Sequence, residues 1–133
     1  MNRKLLIATV TALALTAVAG CAQHSDPQAL ADQATRGVYN VDYDTTTANF
    51  DDSLKTQVTR SSIGDLSDKM HTLGAYHGLK AAGSDPDKGR YDYQAAFDKG
   101  TMLIQMRVDP NWKIGAYRVV PEAATATTPP SSS

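Results

Sequence analysis

Three β-strands in immediate succession, joined by two tight turns, occupy Tyr91–Pro121 (YDYQAAFDKGTMLIQMRVDPNWKIGAYRVVP), and nothing else in the 133-residue chain restricts its fold as strongly. The signal is alternation with a period of two. Tyr91, Tyr93, Ala95 and Phe97 share one side of the first strand, with Asp92, Gln94, Ala96 and Asp98 opposite. Met102, Ile104, Met106 and Val108 share one side of the second, with Leu103, Gln105 and Arg107 opposite. The third strand runs from about Trp112 to Val120.

A two-residue Lys99-Gly100 turn would pair Phe97 with Met102, Ala95 with Ile104, Tyr93 with Met106 and Tyr91 with Val108. All eight then lie on one buried face, with Gly100 supplying a positive φ. A three-residue turn would instead bring Thr101, Leu103, Gln105 and Arg107 to the aromatic side, which is chemically poor. Asp109-Pro110-Asn111-Trp112 forms the second turn, proline presetting φ and the acid and amide bonding locally. The inward face of the third strand stays open: either Ile114, Ala116 and Val120, or Tyr117 and Val119.

Upstream, the spacing is helical. Ser25 or Asp26 caps a helix over Pro27–Asn40, with proline in its first turn and Leu30, Ala31, Ala34 and Val38 on one face. Val41–Thr47, rich in Asp and β-branched residues, reads as a loop. Asn49 or Asp51 caps a short helix with Phe50, Leu54 and Val58. Ser61 or Ser62 caps a third that carries Ile63, Leu66, Met70 and Leu73 and stops at Gly74. A strand over Ala75–Ala82, with Tyr76 and Leu79 inward, and a polar turn over Gly83–Gly89 lead into the meander. Helices first and strands last predict an α+β domain, N-terminal helices packed on a curved, mostly antiparallel sheet.

The chain begins with a basic Asn2-Arg3-Lys4 and an apolar Leu5–Val18 run too short for a comfortable membrane span. It continues Val18-Ala19-Gly20-Cys21, which resembles the bacterial lipobox and holds the chain's only cysteine. That resemblance implies removal of residues 1–20, acylation of Cys21 (palmitate included) and anchoring at a membrane. Ala22 after the cysteine resembles outer-membrane sorting, facing the periplasm, in a cell with two membranes. Residues 21–26 then form a tether, 27–121 the folded domain and 122–133 (EAATATTPPSSS) a disordered tail. With Cys21 acylated, no disulfide is expected and the core alone must stabilise the fold.

The chain has 13 basic and 14 acidic side chains, a net charge of −1; losing Arg3 and Lys4 leaves 11 against 14, or −3. Mild acidity argues against nucleic acid or anionic headgroups as main partners. Thirteen of the 14 acids are Asp, which favours caps and turns over helix interiors.

The helices, a glycine-led strand at Gly74-Ala75-Tyr76, the Phe97-Asp98-Lys99-Gly100 turn and the closing Trp112-Lys113-Ile114-Gly115-Ala116-Tyr117-Arg118-Val119 resemble the nuclear-transport-factor-two-like superfamily over Gln28–Pro121. Within it the pattern is most similar to bacterial secreted domains of unknown function. The resemblance implies a cystatin-like cone, a bent sheet around helices with an apolar pocket at its open end, and often a homodimer through the outer sheet face. Enzymes of that superfamily use a base Asp with Tyr or Asp donors inside the cone.

Candidate chemistry is sparse. His71 and His77 flank Gly74 but lack the i, i+4 spacing of a helical ligand pair, and suit a helix C-terminus and a strand surface. Asp85-Pro86-Asp87-Lys88-Gly89 lacks the acids of a calcium loop. No Gly-x-Ser-x-Gly elbow or phosphate-cradling glycine loop is present, and no metal or cofactor is expected. Tyr76, Tyr91, Tyr93, Phe97 and Met106 remain as a candidate pocket lining, offering polar handles and adaptable contacts to an apolar ligand. Two function classes survive: a lipid-anchored module binding a small apolar ligand or an envelope protein, and a small enzyme using Asp92 or Asp98 beside Tyr93. Alternation counts against the second, since those acids face away from the tyrosine.

Overall fold

The computed structural model describes residues 26–122. The expected leader, Cys21, residues 21–25 of the tether and the tail beyond Glu122 lie outside these residues. Four helices precede four strands: α1 (Pro27–Tyr39), α2 (Tyr43–Thr47), α3 (Asp52–Gln57), α4 (Arg60–His71), β1 (Tyr76–Asp85), β2 (Arg90–Phe97), β3 (Gly100–Val108) and β4 (Ile114–Pro121). The strands form one antiparallel sheet in the order β1-β2-β3-β4, so the domain is α+β, with the meander extended to all four strands.

Each helix begins at a side chain that satisfies otherwise orphaned N–H groups. Asp26 accepts from Gln28 N–H at 2.9 Å, with Pro27 in the first turn. Asp42 accepts from Thr45 N–H at 3.1 Å, and Asp51 from Leu54 N–H at 2.7 Å. The α4 cap is Thr59, not Ser61 or Ser62. Thr59 Oγ1 accepts from Ser62 N–H while Ser62 Oγ accepts from Thr59 N–H, both at 3.0 Å, a reciprocal box that begins the helix earlier than an isolated serine cap would.

The segment read as a loop, Val41–Thr47, contains α2. Two contacts fold it. A Cβ on Gly37 would sit 2.6 Å from Thr46 N and Oγ1, so glycine lets α2 lie directly on α1. Thr46 and Thr47, both buried, return their hydroxyls to Asp42 O and Tyr43 O. Low helical propensity is overridden by packing.

Helix α1 crosses β1, β2 and β3, α4 packs on α1, and α3 lies against β4. The core between them holds Ala31, Ala34, Val38, Ile63 and Met70 from the helices and Tyr93, Ala95, Phe97, Met102, Ile104 and Met106 from the sheet. Buried Ser67 in α4 donates to Tyr39 O at 2.8 Å, tying the helices together.

The β2–β3 hairpin forms through Asp98-Lys99, one residue earlier than expected. Phe97 lies opposite Gly100, Ala95 opposite Met102, Tyr93 opposite Ile104 and Tyr91 opposite Met106. The pairing has shifted by two residues, which preserves the side of every side chain. Binary patterning is therefore blind to the difference. The cause is tertiary: Asp98 N–H donates to Ala75 O (3.2 Å), Lys99 N–H to Leu73 O (2.8 Å), and Ala75 N–H to Asp98 Oδ2 (2.8 Å). These bonds hold the turn against the α4–β1 corner. Gly100 accordingly lies in β3, outside the set of glycines at positive φ.

The open choice at the last strand resolves as both alternatives in part. Val108 pairs with Ile114 and Arg107 with Ala116, leaving Gly115 as the extra residue of a bulge. Ile114 is inward before it, and Tyr117 and Val119 are inward after it. Ile114 N–H also donates to Asn49 O and Asp51 N–H to Ile114 O, placing Phe50 as a parallel bridge at the start of β4.

Candidate functional site

The five residues singled out as a pocket lining are dispersed. Tyr93, Phe97 and Met106 have side chains in the core, exposed by 5, 6 and 3%. Burial pushes the Tyr93 phenol up to about 12, and neighbouring Asp26 and Tyr91 add to the shift. Tyr76 is half-buried and donates to Asp32 Oδ1 at 2.7 Å, while Arg36 Nε donates to Asp32 Oδ2 at 2.7 Å. The Arg36 guanidinium lies 5.3 Å from the Tyr76 ring centre. Burial, then the carboxylate, push the Tyr76 phenol well up, so it remains a neutral donor that ties α1 to β1. Tyr91 stands apart, on a cavity of about 350 Å³ at the end of the sheet, with Pro86, Val108, Pro110 and the exposed Trp112.

Asp92 projects from the sheet face opposite Tyr93, in the row Gly83–Asp92–Gln105–Arg118. Asp98 sits in the β2–β3 turn, where its Oδ1 lies 2.5 Å from His77 Nε2. Neither acid lies beside Tyr93. His71 instead packs edge-on to Tyr39, its ring centre 4.0 Å away. Among the described residues no three His, Cys, Asp or Glu side chains gather around one point.

The sheet face turned away from the helices carries the arrangement with most chemical content. A groove of about 600 Å³ runs over it, bordered by Ser84, Asp85, Arg90, Asp92, Gln105, Met106, Arg107, Ala116 and Arg118. Arg90 and Arg107 are directly opposed across β2 and β3, and Arg118 lies one row further along β4. Like charges directly opposite one another disfavour a strand pair. Among the described residues no ion pair joins any of the three arginines to an acid: Asp85 is held by Lys88 at 3.0 Å, Asp32 by Arg36 and Asp98 by His77. Asp51 flanks Arg107 across Gly115, but its Oδ1 caps α3.

These arginines escape a sequence reading because two residues of register decide their surroundings. The Lys99-Gly100 turn would have set Arg90 opposite Asp109, an ordinary cross-strand ion pair. The Asp98-Lys99 turn sets it opposite Arg107. At the far end of the same face, Glu122 accepts from Gln94 Nε2 at 2.8 Å and from the Thr101 hydroxyl, so its carboxylate links the end of β4 to β3 and β2. A third cavity of about 580 Å³ lies at the sheet edge beside Leu73, Met102 and Pro121. None of these three cavities lies between α1 and the Tyr91–Phe97 strand. No family model, curated protein or solved structure shows significant similarity to this chain.

Proposed function

We propose that this chain is a lipid-anchored binding module of the bacterial cell envelope, tethered through Cys21 and presenting the open face of its sheet to a ligand. The observation that carries the reading is the groove over Arg90, Asp92, Gln105, Arg107 and Arg118, a concave surface of ligand size on the side that the helices leave uncovered. The lipobox-like Val18-Ala19-Gly20-Cys21 supports the anchor. Among the described residues no helix is long and apolar enough to cross a membrane, and the attachment proposed is the acylated cysteine.

Two measurements test the reading. Intact-mass analysis of chain recovered from bacterial membranes should show Cys21 as the N-terminus with added acyl mass, and Cys21→Ser should abolish both; an unmodified Cys21 would remove the anchor. A photo-reactive residue at Gln105, on the groove floor, should give adducts in intact cells that the same residue at exposed Ser53 on α3 does not. Equal labelling at the two positions would remove the open face as the binding surface.

A further inference from the structure

The inference rests on the open-face reading above and names the chemistry of the occupant. We infer that Arg90, Arg107 and Arg118 form a binding site for a small organic anion carrying two or three carboxylates.

Three observations converge on it. First, the hairpin holds two guanidinium groups on directly opposed residues, and β4 brings a third one row away. Neighbouring strands lie about 5 Å apart, so the three forks serve an area the size of one small ligand. Second, the cationic field is not consumed by the protein. The described residues give none of these arginines an ion-pair partner, and Asp92 is the one acid of the groove outside an ion pair. An anion bridging Arg90 and Arg107 would turn their repulsion into a shared attraction. Third, the charged donors are of one kind, all three guanidinium groups. A sheet interior spends its backbone N–H groups on the ladder, so among the described residues the strands of this floor offer no amide nest of the sort that cradles tetrahedral phosphate. What remains are planar guanidinium forks, whose geometry matches planar carboxylates bidentately. Small neighbours leave the forks accessible: Ala116 lies opposite Arg107 and Gly83 opposite Asp92. Asp92 adds an acceptor for a hydroxyl or ammonium group on the same ligand, which favours a hydroxy or amino polycarboxylate over a bare one.

The test is calorimetric titration of the Cys21→Ser chain with citrate, beside pyrophosphate and acetate, at low and high sodium chloride. Citrate should bind saturably, acetate should not, and the affinity should fall as salt rises. Arg107→Gln should weaken citrate at least about 10-fold, since a charge-assisted bond is lost. Lys80→Gln, a cation removed from the same face outside the groove, should leave binding unchanged. The ligand-free Arg107→Gln chain should also melt about 1 to 5 °C higher, because the opposed like charge is gone. That readout guards against a variant that loses binding by unfolding. Absence of saturable citrate binding, or equal binding by Arg107→Gln, overturns the site. Tighter pyrophosphate than citrate overturns the carboxylate class. If citrate fails while the Gln105 adducts form, the open face stands as a binding surface and only this chemistry falls; if both fail, the open-face reading falls with it.

Discussion

Gly89 occupies a position that no side chain can share. Its φ is +64°, and a Cβ there would lie 2.2 Å from Val108 O, the carbonyl that packs against the β1–β2 connection. Backbone must move to admit even a methyl group, so Gly89→Ala should cost about 2–4 kcal/mol, read as a lower urea midpoint with unchanged slope. A loss below about 0.5 kcal/mol would mean that the connection relocates freely. Asp98 makes the pH-sensitive contact of the same scale. The Ala75 N–H, then His77, hold its carboxyl below its usual value. A depressed folded-state value stabilises the fold above the unfolded Asp value and loses that contribution as pH falls through the folded one. Asp98→Asn should therefore flatten the acid limb of the stability curve below about pH 4 and leave the alkaline limb alone, as followed by denaturant midpoints across that range.

Among the elements, α4 shows best how local chemistry and tertiary docking divide the labour. Thr59 and Ser62 close the capping box in exposed positions, so their bonds act on the helix alone. Thr59→Ala should cost about 1 kcal/mol by thermal or chemical unfolding, and Ser61→Ala close to nothing, which separates the observed cap from the one suggested by the serines. The β2–β3 hairpin behaves oppositely. Its turn is positioned by Leu73 O and Ala75 in the α4–β1 corner, a segment distant in sequence, through bonds to Asp98 and Lys99. The Gly115 bulge is a third case, in which one inserted residue lets Ile114 and Tyr117 both face the helices despite opposite parity.

For the whole molecule, Phe97 is the residue through which helices and sheet meet. Its ring centre lies 5.6 Å from that of Tyr76 on β1 and 6.3 Å from that of Tyr39 on α1, and only 6% of the residue is exposed. Truncation leaves a cavity bounded by three elements that cannot all collapse together. Phe97→Ala should cost about 3–5 kcal/mol in equilibrium unfolding, near the whole stability of a small domain without disulfides. A cost under about 1 kcal/mol would show that the aromatic cluster is not the centre of the core. The division of the sheet into a covered and an open face follows from the same packing: one layer of helices can bury one side only, which leaves the groove over Arg90, Arg107 and Arg118 exposed.

Alternation and capping, both local properties, sufficed to read the α+β class, a first helix starting at Pro27 and ending within one residue of Tyr39, the strands after Gly89 and the side of the sheet each of Tyr91–Val108 occupies. Period-two burial is encoded residue by residue, and a capping Asp needs only its own next turn. Two-residue register, the fate of Val41–Thr47 and the bulge at Gly115 were decided by contacts across the fold: the Leu73–Lys99 and Ala75–Asp98 bonds, the Gly37–Thr46 approach, and the bridge from Phe50 to Ile114. The candidate site belongs to the second kind. Whether Arg90 faces an aspartate or an arginine depends on where the hairpin turns, and that turn is positioned by a helix end more than twenty residues away in the chain.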